Sequence, residues 1–136
     1  MGVKISAKYI GGKKVEITHE TSGTKFVTAA PLDNGGDGSS FSPTDLCTAS
    51  IGACAMTIIA LLAEKLGIDV SSMHMSAEKI MSQDLPRRIS EVPVEIYLPS
   101  SIDTDSRKKL ETAAAGCPVL QSLSTDVTVD IQFIYE

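Results

Sequence analysis

The sequence predicts an α+β fold in which antiparallel strands pack around one long buried helix. Three observations carry this expectation. Apolar and polar residues alternate near both ends, over Val3, Ile5, Ala7 and Tyr9 and again over Val127, Val129, Ile131, Phe133 and Tyr135, the two-residue period of strands with one buried face. Leu46 to Ala63 carries no charged residue across 18 positions, and helix punctuation brackets that run. The chain has 136 residues, which suits one domain able to bury roughly 68% of its unfolded surface without a disulfide or a metal.

The elements follow in order. Val3 to Tyr9 forms the first strand, Gly11-Gly12 marks a hairpin turn, and Val15 and Ile17 continue the alternation in a second strand. A third short strand covers Lys25 to Ala29. Pro31 to Ser40 gathers Pro, Asp, Asn, Ser and Gly, a loop that must pass close to something or bend sharply. Ser42 is then a good N-cap, Pro43 fits the first helical position, and Asp45 stands three residues after the cap at the positive end of the helix dipole. The helix should run to about Leu66, with Gly67 as its stop, a length of roughly 36 Å.

Beyond it, Met73 to Met81 is extended by composition. Ile89 to Leu98 places Val92, Val94, Ile96 and Leu98 on one face, with Pro93 suggesting an edge strand. Asp103 or Thr104 caps a second helix through Ala115, Pro118 opens a short helical piece, and the last strand ends the chain. The order β-β-β-α-β-β-α-β implies antiparallel pairing in one domain, residues 1–136. A helix that is apolar all round needs cover on every side. One sheet from this chain supplies part of it, so a homodimer is expected to supply the rest.

Composition excludes several function classes. Hydrophobic residues make up 43% and charged residues 21%, and the net charge is −5 with 12 basic against 17 acidic side chains. The longest basic run, Arg107-Lys108-Lys109, is no footprint for nucleic acid. The uncharged run reaches the lower limit for a membrane span, but Thr48, Ser50, Gly52 and Thr57 interrupt it and a buried central helix is the better reading. No signal-peptide core opens the chain, and Cys47, Cys54 and Cys117 do not make a secreted disulfide framework, so the expected location is the cytoplasm. No Cys-x-x-Cys pair occurs and His19 and His74 lie near no cysteine in sequence; neither a metal nor a cofactor is expected.

The cysteines hold the chemistry. Cys47 and Cys54 stand seven residues apart, on nearly the same helix face but about 10.5 Å apart along the axis. A disulfide needs Cα atoms within roughly 7 Å, so these two cannot pair in an intact helix. Cys54 with Cys117 is not so limited. Cys117, between Gly116 and Pro118, should cap a short helix whose N-terminus favours a thiolate. Set against this, free cysteine is a small hydrophobe that cores often bury. From the residues alone, a redox pair and three structural cysteines both stand. Cys47 has no special context and belongs with the structural class.

The stretch Ser42-Pro43-Thr44-Asp45-Leu46-Cys47-Thr48-Ala49-Ser50-Ile51-Gly52-Ala53-Cys54 resembles the central helix of the OsmC/Ohr family, the osmotically inducible and organic hydroperoxide resistance proteins. Ala115-Gly116-Cys117-Pro118-Val119 resembles the family's second, Cys-Pro motif. The resemblance spans nearly the whole chain. It implies an OsmC-like fold, an intertwined homodimer with central helices, and a thiol peroxidase in which Cys54 attacks an organic hydroperoxide and Cys117 resolves the sulfenic acid to a disulfide. An external dithiol, typically a lipoylated protein, then reduces that disulfide.

In the family's peroxidase branch an Arg and a Glu activate the first cysteine. The Glu position corresponds here to Thr44, with the acidic side chain one residue later at Asp45, and the Arg corresponds best to Lys13. Lysine lacks the bidentate fork, so an Arg–Glu clamp cannot form as such. Lys13 is then either the activating cation or a turn residue. Arg87 or Arg88 could reach the site, although a solvated strand end is the plainer reading. Two further functions stay open: a non-catalytic dimer binding an apolar or thiol ligand in the interface cleft, and a Cys–His hydrolase using His19 or His74, which no nucleophile motif supports.

Overall fold

The computed structural model describes residues 2–136. The chain forms two compact units, residues 1–46 and 47–136. In the first, β1 (Ile5–Gly11), β2 (Lys14–His19) and β3 (Lys25–Ala29) make an antiparallel sheet in the order β1-β2-β3. The hairpin falls where Gly11-Gly12 predicts it: Gly11, Gly12 and Lys13 all take positive φ (87, 62 and 60°), strain that two glycines remove and Lys13 must bear. The glycine-rich loop does pass close to backbone. A Cβ at Gly36 would lie 2.0 Å from the Ala30 carbonyl oxygen, so only glycine fits there. The apolar side chains of β1 are not covered: Ile5 is 64% and Tyr9 68% exposed. The buried face expected of this strand is absent within one chain.

Helix α1 (Pro43–Leu66) matches its predicted limits. It is capped at its start by Ser42 and closed at its end by Gly67 in the left-handed region (φ 69°), where the Ile68 N–H donates to the Ala63 carbonyl. The rest of the second unit is β4 (His74–Ala77), β5 (Ile80–Met81), β6 (Ile89–Leu98), α2 (Thr104–Ala115), α3 (Pro118–Ser122) and β7 (Thr128–Tyr135). Two expectations change here. Strand β6 is the centre of its sheet, not an edge, with β4 and β5 antiparallel along one side and β7 along the other. Pro93 is tolerated because β4 ends at Ala77↔Val94 and β5 begins at Ile80↔Glu91. The Pro93 carbonyl accepts from Glu78 N–H across that break, so the missing N–H falls where no ladder bond is required. And β7 runs parallel to β6, Glu91↔Thr128 through Leu98↔Tyr135, because the helical crossover of α2 and α3 brings the chain back in the same direction.

Val92, Val94, Ile96 and Leu98 point to one side of β6 and are buried against Ile51, Ala55, Ile59 and Ala63 of α1 and Leu110 and Ala114 of α2. Burial of each large aliphatic contributes about 1.5–3 kcal/mol. Gly52 lets α1 approach this sheet: a Cβ there would meet the Met75 sulfur at 2.8 Å. The buried residues of α1, which include Thr48, Ile51, Gly52, Ala55, Ile59 and Ala63, lie on one face. The helix is long and apolar enough to cross a membrane by length and composition. Its opposite face is uncovered in the single chain, with Leu61 53% exposed.

Candidate active site

Cys54 sits midway along α1, half-buried, and Cys117 follows α2 after the single residue Gly116. Gly116 and Cys117 turn the chain by donating to the Ala113 and Ala114 carbonyls, which stops α2. Cys117 then takes an extended conformation (φ −63°, ψ 143°) and caps α3, its sulfur accepting from the Leu120 N–H at 3.5 Å. The local sequence explains this: Pro118 cannot continue α2 but opens a new helix readily. Cys117 is 0% exposed. Its thiol is a near neighbour of that of Cys54, although the two residues stand far apart in sequence. Burial pushes the Cys117 thiol up, the Leu120 N–H pulls it back, and the neighbouring Cys54 raises it further.

Lys13 occupies the β1–β2 turn. Its backbone N–H donates to the Tyr9 hydroxyl at 3.1 Å and its ammonium to the Gly35 carbonyl at 2.8 Å, which ties the hairpin to the glycine-rich loop. Asp45 and Ser42 form a reciprocal cap at the start of α1, Ser42 N–H to Asp45 Oδ2 at 2.9 Å and Asp45 N–H to Ser42 Oγ at 3.1 Å. The Thr44 hydroxyl lies 3.2 Å from that of Ser42. Thr44 and Asp45 thus meet around Ser42, whereas Cys54 and Cys117 meet each other.

Other candidates fall into local roles. Arg88 forks onto Asp84 and the Pro86 carbonyl, bracing the loop between β5 and β6. His19 contacts Ser22, and His74 stacks on Tyr97 with ring centroids 4.6 Å apart. Cys47 packs against the core, and its carbonyl accepts from the Ser50 hydroxyl. Among the described residues no group of three His, Cys, Asp or Glu side chains could hold a metal ion.

One element of the site escaped the sequence. The Arg107 guanidinium donates to the Ile102 and Ser100 carbonyls and lies 4.1 Å over the Tyr135 ring, and the Tyr135 hydroxyl donates to Glu111 at 2.7 Å. This brace fixes α2, which delivers Cys117. Burial, then the Glu111 bond, push the Tyr135 hydroxyl well above its ordinary range. Lys108 and Lys109 remain on the exposed side of α2. With Leu62, Thr112 and Ala113 they line an open, largely apolar groove of about 450 Å³. Leu62 is eight residues beyond Cys54, about 12 Å along the helix axis.

Residues 36–132 match the family described as OsmC-like protein. A crystal structure from Psychrobacter arcticus 273-4, of a protein named for osmotic stress induction and detoxification response, is 33% identical with a TM-score of 0.91, covering 98% of this chain and 97% of that one. An organic hydroperoxide resistance protein OsmC from Legionella pneumophila superposes with a TM-score of 0.78 at 19% identity, over 98% and 97% of the two chains. The organic hydroperoxide resistance protein OhrB of Bacillus subtilis does so at 0.69 and 19%, over 98% of each. These last two share the fold. No curated protein matches the chain. With the family match over most of its length and the two cysteine motifs in their expected order, the chain belongs to the OsmC-like protein family.

Proposed function

We propose that the protein is a cysteine peroxidase for organic hydroperoxides and acts in oxidative stress defence. The observation that carries this reading is that the half-buried Cys54 and the buried Cys117, far apart in sequence, bring their thiols close together. Cys54 as thiolate attacks the O–O bond, releases the alcohol and becomes a sulfenic acid. Cys117 condenses with it, water leaves, and the disulfide forms. A dithiol, typically on a lipoylated protein, restores the two thiols. Lys13 supplies the activating charge, with Asp45 and Thr44 shaping the helix start.

The test is stopped-flow turnover with cumene hydroperoxide and hydrogen peroxide, reduced by dithiothreitol or dihydrolipoamide. Faster turnover of the organic peroxide is expected. No peroxide consumption would leave a ligand-binding protein instead.

The working unit in this reading is a cytoplasmic homodimer with residues 1–136 as one domain in each subunit. The uncovered apolar side chains of β1 and Leu61 on α1 support it. Sedimentation at micromolar concentration should give twice the 14.4 kDa chain mass; a stable monomer would remove the argument.

A further inference from the structure

Resting on that reading, we infer that the oxidised protein is reduced in one direction only: an external dithiol attacks the sulfur of Cys54, and Cys117 is the leaving group. Thiol–disulfide exchange proceeds with the attacking sulfur, the attacked sulfur and the leaving sulfur in line, so access decides which sulfur is attacked. Cys117 is 0% exposed within its own chain, and Cys54 is half-buried. Cys117 has no surface open to an approaching thiolate within its own chain. Association with a second copy can only remove surface, so it cannot open a route to it. Within the chain, of the two sulfurs only that of Cys54 has surface open to a thiolate.

The electron balance is complete with the dithiol as the two-electron donor. Its first thiol, deprotonated in solvent, bonds to Cys54 Sγ. The Cys54–Cys117 bond breaks and its electron pair leaves on Cys117 Sγ. There the Leu120 N–H, 3.5 Å from that sulfur in the reduced chain, receives the developing charge until a proton is regained. The second thiol then attacks the mixed disulfide, Cys54 departs as thiolate, and the reductant closes to its cyclic disulfide. Burial makes Cys117 a poorer leaving group than an exposed thiol, which opposes this direction. Steric exclusion outweighs it, because a slower leaving step still proceeds and a blocked approach does not. The enzyme thus returns to its starting state with Cys54, the peroxide-reactive thiol, released last and only after reductant has been committed.

The experiment uses a Cys47→Ser chain, oxidised with diamide so that the disulfide forms without any peroxide chemistry. Rapid mixing with excess glutathione, acid quench, alkylation of free thiols and peptide mapping then locate the adduct. Glutathione on Cys54 with alkylated Cys117, at least tenfold over the reverse pattern, is expected. Equal labelling, a predominance on Cys117, or failure of diamide to close the pair overturns the inference. The single-cysteine chains give a second reading, in which 5,5′-dithiobis(2-nitrobenzoate) should modify Cys54 much faster than Cys117. If peroxide turnover is absent while the adduct still falls on Cys54, the peroxidase reading has failed and this inference has not.

Discussion

The two compact units use their reactive side chains differently. In residues 47–136 the thiols of Cys54 and Cys117 meet each other, one half-buried and one fully buried. In residues 1–46 the charged candidates serve the backbone, Lys13 on the Gly35 carbonyl and Asp45 on the Ser42 N–H. A thiol pair inside a packed core is positioned by the core and still free to react. A lysine or aspartate that closes a turn or caps a helix is already needed for folding, so any part it takes in catalysis is additional. The difference teaches that the redox couple and its activation can be tested separately.

The largest effect should come from the couple itself. Cys54→Ser should reduce peroxide consumption to the uncatalysed level, since no other thiol occupies its position. Cys117→Ser should permit one turnover and then over-oxidation of Cys54 to the sulfinic acid, seen as a two-oxygen mass gain. Full activity in Cys54→Ser would mean that the Cys54–Cys117 pair is not the redox couple.

Next comes Lys13→Met, which keeps the stem and removes the charge. Loss of the bond to Gly35 should cost about 1 kcal/mol of stability. In a chain lacking Cys47 and Cys117, alkylation of Cys54 at neutral pH should slow while the fold persists. Lys13→Arg combined with Thr44→Glu should raise activity. An unchanged alkylation rate in Lys13→Met would confine Lys13 to its turn and sharpen the division between the units.

Smaller still is the effect of the brace on α2. Tyr135→Phe removes the donor to Glu111 and should cost about 1 kcal/mol. The Tyr135 hydroxyl is raised in the folded protein, so the native state holds its proton after the unfolded state has lost it. Its contribution is complete below the unfolded value, about 10, and is lost as pH rises above it. Denaturant unfolding should therefore show a steeper alkaline loss in the parent than in Tyr135→Phe. Equal slopes would mean that the hydroxyl is not held in this way.

These regions also differ in how far they could be read in advance. The limits of α1, the turn at Gly11-Gly12, the Ser42–Asp45 cap and the cap at Cys117 are local, set by residues within a few positions, and all were legible. The central place of β6 was not, because Pro93 is acceptable only through the break between β4 and β5, which no nearby residue signals. The parallel β7 likewise depends on how α2 and α3 cross the sheet. The thiol contact needed a family resemblance to single out Cys54 and Cys117, since nothing in their spacing distinguishes a redox pair from buried hydrophobes. The Arg107–Tyr135–Glu111 brace carries no local signal, as it joins a helix to a strand 24 residues on.

The proposed chemistry turns on the pairing of two particular thiols. The direct measurement adds one equivalent of cumene hydroperoxide to the fully reduced chain, counts the remaining thiols and maps the disulfide. Of the 3 cysteines, two should be lost together, as a Cys54–Cys117 disulfide, with Cys47 still free. No loss of thiols, or a disulfide that includes Cys47, would contradict the account.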